Sequence, residues 1–321
     1  MRKEAKETKN ISIARVQGYH EGGYSCRNRE QYAYMGYAEN KYFTSDRFIR
    51  LDENYNRADG RPMKGFGLEI ETECNGITNE TVLAEVMEKI IFSHFPDHLF
   101  KMQHDGSLGG RTSAECITQP MTKEFIRNNY KNFKAMYDTY FPAFNISCSE
   151  SGNCGMHVNI STGVFGTTEK SQADAIRKLY YIVNRHFDFC CALFNRSSQQ
   201  TTYCSRMDYS NACTMELAGF YSDHHCSFNL GHYTSGRIEI RLVGGQKDFP
   251  CFRNTMECIF HLVERVKAIS WNDIDDITKI FEKCNYYVFD RIRSYCYHAG
   301  TVTVEQVNKI RETCTMERNY I

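Results

Sequence analysis

Residues 67–73, Gly-Leu-Glu-Ile-Glu-Thr-Glu, fit one regular backbone. Leu68, Ile70 and Thr72 alternate with Glu69, Glu71 and Glu73, the period of a β-strand with one apolar side, not the 3.6-residue repeat of a helix. Glutamate is a poor strand residue, yet three share one side. Side chains two apart on a strand sit about 7 Å from each other, and at an effective dielectric of about 20 each such pair repels by roughly 2 kcal/mol. On an open face, water screens that cost. On a closed face, a cation has to offset it.

The division recurs along the chain. Residues 155–161 alternate Met156, Val158 and Ile160 with His157, Asn159 and Ser161, and residues 237–242 alternate Ile238, Ile240 and Leu242 with Arg237, Glu239 and Arg241. The stretch 113–120 adds Glu115 and, two pleats on, Gln119. Between these strands lie helical stretches. Asn79 is a suitable N-cap for a helix to about Ser93, with Val82, Leu83, Val86 and Ile90 as its apolar stripe. Thr122 caps a second, to about Tyr140, whose core face is Phe125, Ile126, Phe133, Met136 and Tyr137. A third covers 168–195, with Ile176, Leu179, Tyr180, Val183, Phe187, Leu193 and Phe194 inward. Further strands fall near 99–103, 143–148, 225–231 and 236–243. From residue 250 on the pattern is helical, in about four pieces, with Asp273 and Thr301 as caps. Strands and helices arranged this way predict an α+β fold, a mostly antiparallel sheet with helices on one face.

The chain has 321 residues, of which 41% are apolar and 13% aromatic, enough to bury a sizeable core and to exclude a disordered chain. Lys plus Arg and Asp plus Glu both number 39, so bulk attraction to nucleic acid or to an acidic membrane is not expected. No apolar run reaches the roughly 20 residues of a membrane span, and the charged start MRKEAKETKN has no apolar leader core. Fifteen cysteines, an odd number without a CxxC pair, do not form a disulfide framework or a zinc ribbon. Cys116, Cys190 and Cys258 lie in apolar periodic stretches, as buried thiols in a reducing cytoplasm would. Residues 1–63 form a polar, Tyr- and Gly-rich extension in which His20 and Cys26 carry no evident chemistry. Residues 64–250 form a core, and 251–321 a helical segment packed on it.

If the four strands share a sheet, the polar side gathers Glu69, Glu71, Glu115, His157, Asn159, Glu239 and Arg241 on one surface. Carboxylate oxygens suit hard cations, Mg²⁺ above all, and a histidine beside them admits Mn²⁺. An arginine two residues from a carboxylate has a fork that fits a phosphoryl group. The set suits a polyphosphate with two or more divalent ions. The same residues taken strand by strand also fit solvated amphipathic strands, with Arg237, Glu239 and Arg241 as a salt-bridged ladder.

In order, GLEIETE (67–73), DGS (105–107), AECITQP (114–120), CGMHVNIS (154–161) and IEIRLVGG (238–245) resemble the amidoligase family, carboxylate–amine ligases related to glutamine synthetase and γ-glutamylcysteine synthetase. The likeness covers about residues 64–250. It implies a curved, mostly antiparallel sheet with helices on its convex face, the glutamine synthetase-like catalytic fold, and a site on the concave face. It also implies ATP, Mg²⁺ or Mn²⁺, and a two-step reaction. ATP phosphorylates a substrate carboxylate, and an amine displaces phosphate from the acyl phosphate to give an amide. The substrate would be a peptide, a protein or an amino acid, with an amine donor. By this resemblance Glu69, Glu71, Glu115, His157 and Glu239 are metal ligands, and Asn159, Ser161, Arg237 and Arg241 lie toward the nucleotide. Arg241 stabilises the transferring phosphoryl group, and Glu115, Asp105 and Ser107 line the substrate side. Many members have a second histidine where this chain has Asn159. The loop 196–224 and the adjoining His225, with Arg196, Tyr203, Arg206 and His224, is a candidate for substrate contact.

Three other readings stay open on the residues alone. One is a metal-dependent hydrolase on the same carboxylates and His157, without an HExxH motif. Another is a cysteine hydrolase using Cys154 or Cys204. The third is a non-catalytic structural or nucleotide-binding module.

Overall fold

The computed structural model describes residues 65–77, 82–83, 86–95, 99–103, 112–118, 120–148, 154–197, 203–220 and 225–315. Asp105, Ser107, Gln119, His224, the cap Asn79 and the extension 1–63 lie outside the described residues. The chain divides into two compact units. Of the described residues, the first holds those from Phe66 to Met156 and from Gly245 to Phe249; the second holds Gly65 and those from His157 to Gly244 and from Pro250 to Thr315. The described residues make a mixed α/β structure with antiparallel sheet and helices.

In the first unit, β1 (Phe66–Cys74) lies beside β3 (Thr112–Thr118), which in turn pairs with β2 (Phe100–Gln103). The end of β1 also pairs with β4 (Ile146–Ser147). The apolar side of β1 is sealed: Leu68, Ile70 and Thr72 are buried, as are Ala114 and Cys116 opposite. Two threonines bind backbone across this side. Leu68 N–H donates to Thr118 Oγ1 at 2.8 Å, and Thr72 Oγ1 donates to Ala114 O at 2.7 Å. Helices α1 (Lys123–Asn128) and α2 (Tyr130–Ala135) follow Thr122, whose hydroxyl accepts from Phe125 N–H as the cap. Phe125, Ile126, Phe133, Met136 and Tyr137 are all buried, as their spacing predicts. Phe100 stacks on Phe92 at 4.3 Å and meets Phe95 edge-on at 4.9 Å, and Phe95 meets Phe133 at 4.9 Å. Such a cluster ties the strand to the helix, each buried ring contributing about 2–3 kcal/mol.

The second unit contains β5 (Met156–Ser161) from His157 on, β6 (Phe228–Asn229) and β7 (Arg237–Ile240), in the order β5-β7-β6. Its helices are α3 (Glu169–Arg185), α4 (Phe187–Leu193), α5 (Phe249–Val266), α6 (Ile277–Ile280), α7 (Tyr286–Arg291) and α8 (Val304–Thr313). Tyr180 of α3 meets Phe228 of β6 edge-on at 5.7 Å. His261 of α5 is half-buried, its Nε2 2.9 Å from Ile280 O. Burial there holds its imidazole down to about 4, so the ring is neutral at pH 7.

Several sequence expectations shift. In the first helical segment Leu83, Val86, Met87 and Ile91 are buried, while Val82 and Ile90 are partly exposed. A π-helical turn at Met87–Ile91 widens the repeat and moves the stripe by a residue. The helix expected over 168–195 breaks at His186, whose φ of −104° and ψ of 43° leave the helical region. In the C-terminal segment the caps are Asp276, Asn285 and Thr303. Thr303 wins over Thr301 because Gln306 completes a capping box, whereas Thr301 Oγ1 donates back to Cys296 O. Strands 225–231 and 236–243 shrink to β6 and β7. Every described cysteine is a free thiol, and Cys116, Cys190 and Cys258 are buried. Among the described residues no helix is long and apolar enough to cross a membrane.

Candidate functional site

The polar side of β1 is not open to water. Glu71 retains 9% of its surface, Glu73 6% and Glu115 8%, and Glu69 is half-buried. Register sets their spacing. Glu71 lies directly opposite Glu115, and Glu69 opposite Ile117, so Glu69 and Glu115 are diagonal neighbours on one side. Oxygens of Glu69 and Glu115 approach within 4.8 Å of each other, a distance one cation can bridge. Gly155 N–H donates to a Glu71 carboxylate oxygen, and Glu71 N–H donates to Gly155 O at 3.1 Å. These contacts fix the carboxylate at its strand. The donors that Glu69 and Glu115 offer are carboxylate oxygens, the chemistry that Mg²⁺ and Mn²⁺ take, so this pair fits a hard divalent ion.

The second unit holds the other group. Asn159 pairs with Glu239 and Ser161 with Arg237 across β5 and β7, and Asn229 of β6 pairs with Glu239 from the other side. All these side chains therefore share a face. Glu239, 4% exposed, is its centre. Its Oε1 accepts from Arg241 at 2.7 Å and lies 3.4 Å from His157 Nδ1, and its Oε2 accepts from Asn229 Nδ2 at 2.9 Å. Arg241 also lies 3.5 Å from His157 Nδ1. Arg241 stands just past β7, where its N–H and that of Leu242 both converge on Ser227 O, at 3.0 and 3.2 Å. Two residues against one make a bulge, a device that re-aims a side chain at the end of a strand. The segment that follows needs glycine, because a Cβ on Gly244 would lie 2.0 Å from Asn195 O.

Of the sequence candidates, Glu69 and Glu115 meet in the first unit, with Glu71 opposite Glu115 in register and bonded to Gly155, and His157, Glu239 and Arg241 meet in the second. Asn159 and Arg237 bond to each other, both half-buried. Ser161 serves the backbone: its hydroxyl both accepts from Gly65 N–H and donates to Gly65 O, each at 3.0 Å. Asp105 and Ser107 lie outside the described residues. In the 196–224 loop Arg196 donates to Val243 O at 2.8 Å and Arg206 to Tyr209 Oη at 2.9 Å, while Tyr203 is 63% exposed and lies against the adjoining His225. Cys154 and Cys204 are fully buried, poor settings for a nucleophile that must reach substrate.

Two residues had escaped the sequence reading. Asn229 holds Glu239 while accepting from Gly231 N–H at 2.8 Å. Asn184, fully buried in α3, accepts from Ser227 Oγ and from Met207 N–H, both at 2.8 Å, and so anchors the strand end that carries the bulge. The signal for Asn229 was present: Cys226, Phe228 and Leu230 alternate with Ser227 and Asn229. Asn184 gives none, being one polar residue on a helix. Comparisons with models of known families and with curated proteins find no match for this chain.

Proposed function

We propose that the protein is an ATP-dependent carboxylate–amine ligase that uses Mg²⁺ or Mn²⁺ and forms an amide through an acyl phosphate. The observation that carries this reading is the crowding of Glu69, Glu71 and Glu115 on one strand side, the first half-buried and the other two buried and directly opposite each other. A solvated amphipathic strand would leave them in water. The order of motifs resembling the amidoligases supplies the reaction class.

Glu69, Glu71 and Glu115 would hold a divalent ion in the first unit, and His157 with Glu239 offers a nitrogen and a carboxylate for one in the second. Such ions neutralise phosphate charge and orient the oxygens. Arg241, held by Glu239 through one guanidinium nitrogen, would turn the rest of its fork to the γ-phosphoryl group. In the first step a substrate carboxylate oxygen attacks the γ-phosphorus and the bond to ADP breaks. In the second the amine nitrogen attacks the acyl carbon, phosphate leaves, and the amine loses a proton. Positioning and charge neutralisation suffice for both steps.

Calorimetric titration of a non-hydrolysable ATP analogue, with and without Mg²⁺, tests the reading. Metal-dependent binding that Glu71→Ala abolishes supports it and opens a screen of acid–amine pairs for ADP release. Folded wild-type protein that binds no analogue overturns it.

A further inference from the structure

At the C-terminal end of the second unit two thiols face each other. Cys284 immediately precedes the α7 cap Asn285, and Cys314 immediately follows α8. Their backbones run side by side. Asn285 and Thr315 form a parallel bridge, Thr315 N–H donates to Cys284 O at 2.9 Å, and Lys283 N–H donates to Thr313 Oγ1 at 3.2 Å. That register sets Cys284 opposite Cys314 with both side chains on the same side. Parallel neighbours lie about 4.8 Å apart, inside the window of about 4.4–6.8 Å that a disulfide spans between Cα atoms. Hydrogen bonding between the two thiols lowers that of Cys314 and, with burial, raises that of Cys284. Cys284 is buried and Cys314 is half-exposed, so a reagent meets Cys314 first.

We propose that Cys284 and Cys314 form a redox-active pair that closes to a disulfide by exchange with a small-molecule disulfide such as oxidised glutathione, stapling α8 to the segment ahead of α7. The Cys314 thiolate attacks one glutathione sulfur, the S–S bond breaks, and a glutathione thiolate leaves with the proton lost from Cys314. Cys284 then attacks the Cys314 sulfur of the mixed disulfide, releasing the second glutathione, which takes the Cys284 proton. Two protein thiols are oxidised and one small disulfide is reduced to two thiols. The half-exposed, acidified partner beside a buried resolving thiol is the arrangement such exchange needs. The exposed Cys213 serves as the control. Closure joins two segments separated by α7 and α8, and so restricts the unfolded chain.

The test incubates the purified full chain with oxidised glutathione, alkylates the remaining thiols, digests the protein and maps the peptides. The expected result is a Cys284–Cys314 cross-linked peptide, with loss of two hydrogens. Dithiothreitol reverses it, and it accompanies an upward shift of the unfolding midpoint. Cys314→Ser removes the cross-link and the shift, while Cys213→Ser leaves both. Alkylation of both Cys284 and Cys314 after treatment, or a stable mixed disulfide on Cys314 with Cys284 still alkylated, overturns the proposal. The mapping on wild-type protein decides even if the serine variant fails to fold.

Discussion

The two polar strand faces are built from similar residues and solve opposite electrostatic problems. On β1 and β3 the charged groups are glutamates of one sign, buried except for the half-buried Glu69, with Glu71 facing Glu115 across the ladder. On β5, β6 and β7 the buried Glu239 has Arg241 at 2.7 Å, Asn229 at 2.9 Å and His157 at 3.4 Å. In the second face a carboxylate is compensated by side chains that the same strands supply. In the first, Gly155 N–H serves Glu71, and a bound cation is proposed as a further partner of the carboxylates. A face of mixed charge supplies counter-charges to its own carboxylate, whereas like-charged carboxylates gain most from an added cation.

The largest expected effect falls on the mixed face. Arg241→Ala should reduce ADP release by about 10³-fold or more, as loss of a phosphoryl-stabilising arginine does elsewhere. Arg241→Lys should recover little, because an ammonium cannot serve Glu239 and a phosphoryl group through one planar fork. Wild-type rates in both variants would remove the mixed face from phosphoryl transfer and leave it a structural ladder.

Acid should separate the two units next. Burial holds His261 near 4, against about 6.5 in an unfolded chain. Below pH 6.5 the unfolded state gains a proton that the folded state refuses, so stability falls with pH down to about 4 and then levels off. The difference corresponds to about 3 kcal/mol. His186 in the same unit is lowered too, again chiefly by burial. Hydrogen exchange at pH 5 should show α5 opening more readily than at pH 7, with β1 and β3 changing less. His261→Gln should flatten the slope; an unchanged slope in that variant would show that another group carries it.

On the acidic face, Glu71→Ala should weaken Mg²⁺-dependent binding of the ATP analogue by about 100-fold, the upper range for disturbing a metal's immediate support. A chelator should have the same effect on wild type. Calorimetry reads both, and Mg²⁺ should raise the unfolding midpoint of wild type but not of the variant. A variant that still responds to Mg²⁺ would sink the assignment of the metal to this face.

What could be read from the sequence tracks the range of the physics involved. Alternation located β1, β3, β5 and β7, because period two depends only on neighbours along the chain. The cap at Thr122 was equally local. The phase of the first helix was lost because a π-turn at Met87–Ile91 has no marker in an apolar run. Thr301 and Thr303 are both plausible caps until Gln306 is seen to close the box. The polar set on β7 was legible, but its partner was not: Asn229 reaches Glu239 through a register that only folding sets. Whether the glutamate side was wet or buried was likewise undecidable from alternation, since both states have the same pattern. Burial of Glu71 and Glu115 decides it.

The smallest change should test the comparison most directly. Asn229 donates to Glu239 and accepts from Gly231 N–H, so it joins two polar groups that would otherwise compete for partners in a buried place. Asn229→Ala removes both bonds and should cost about 1–2 kcal/mol, read by denaturant unfolding. Asn229→Asp keeps the acceptor for Gly231 but sets a second carboxylate against Glu239, giving the mixed face the like-charge opposition of Glu71 and Glu115. Without divalent ions it should be less stable than Asn229→Ala, since repulsion is added to a lost bond. With Mg²⁺ it should recover part of that loss, which Asn229→Ala should not. If Asn229→Asp is no worse than the alanine variant and ignores Mg²⁺, charge balance is not what distinguishes the two faces.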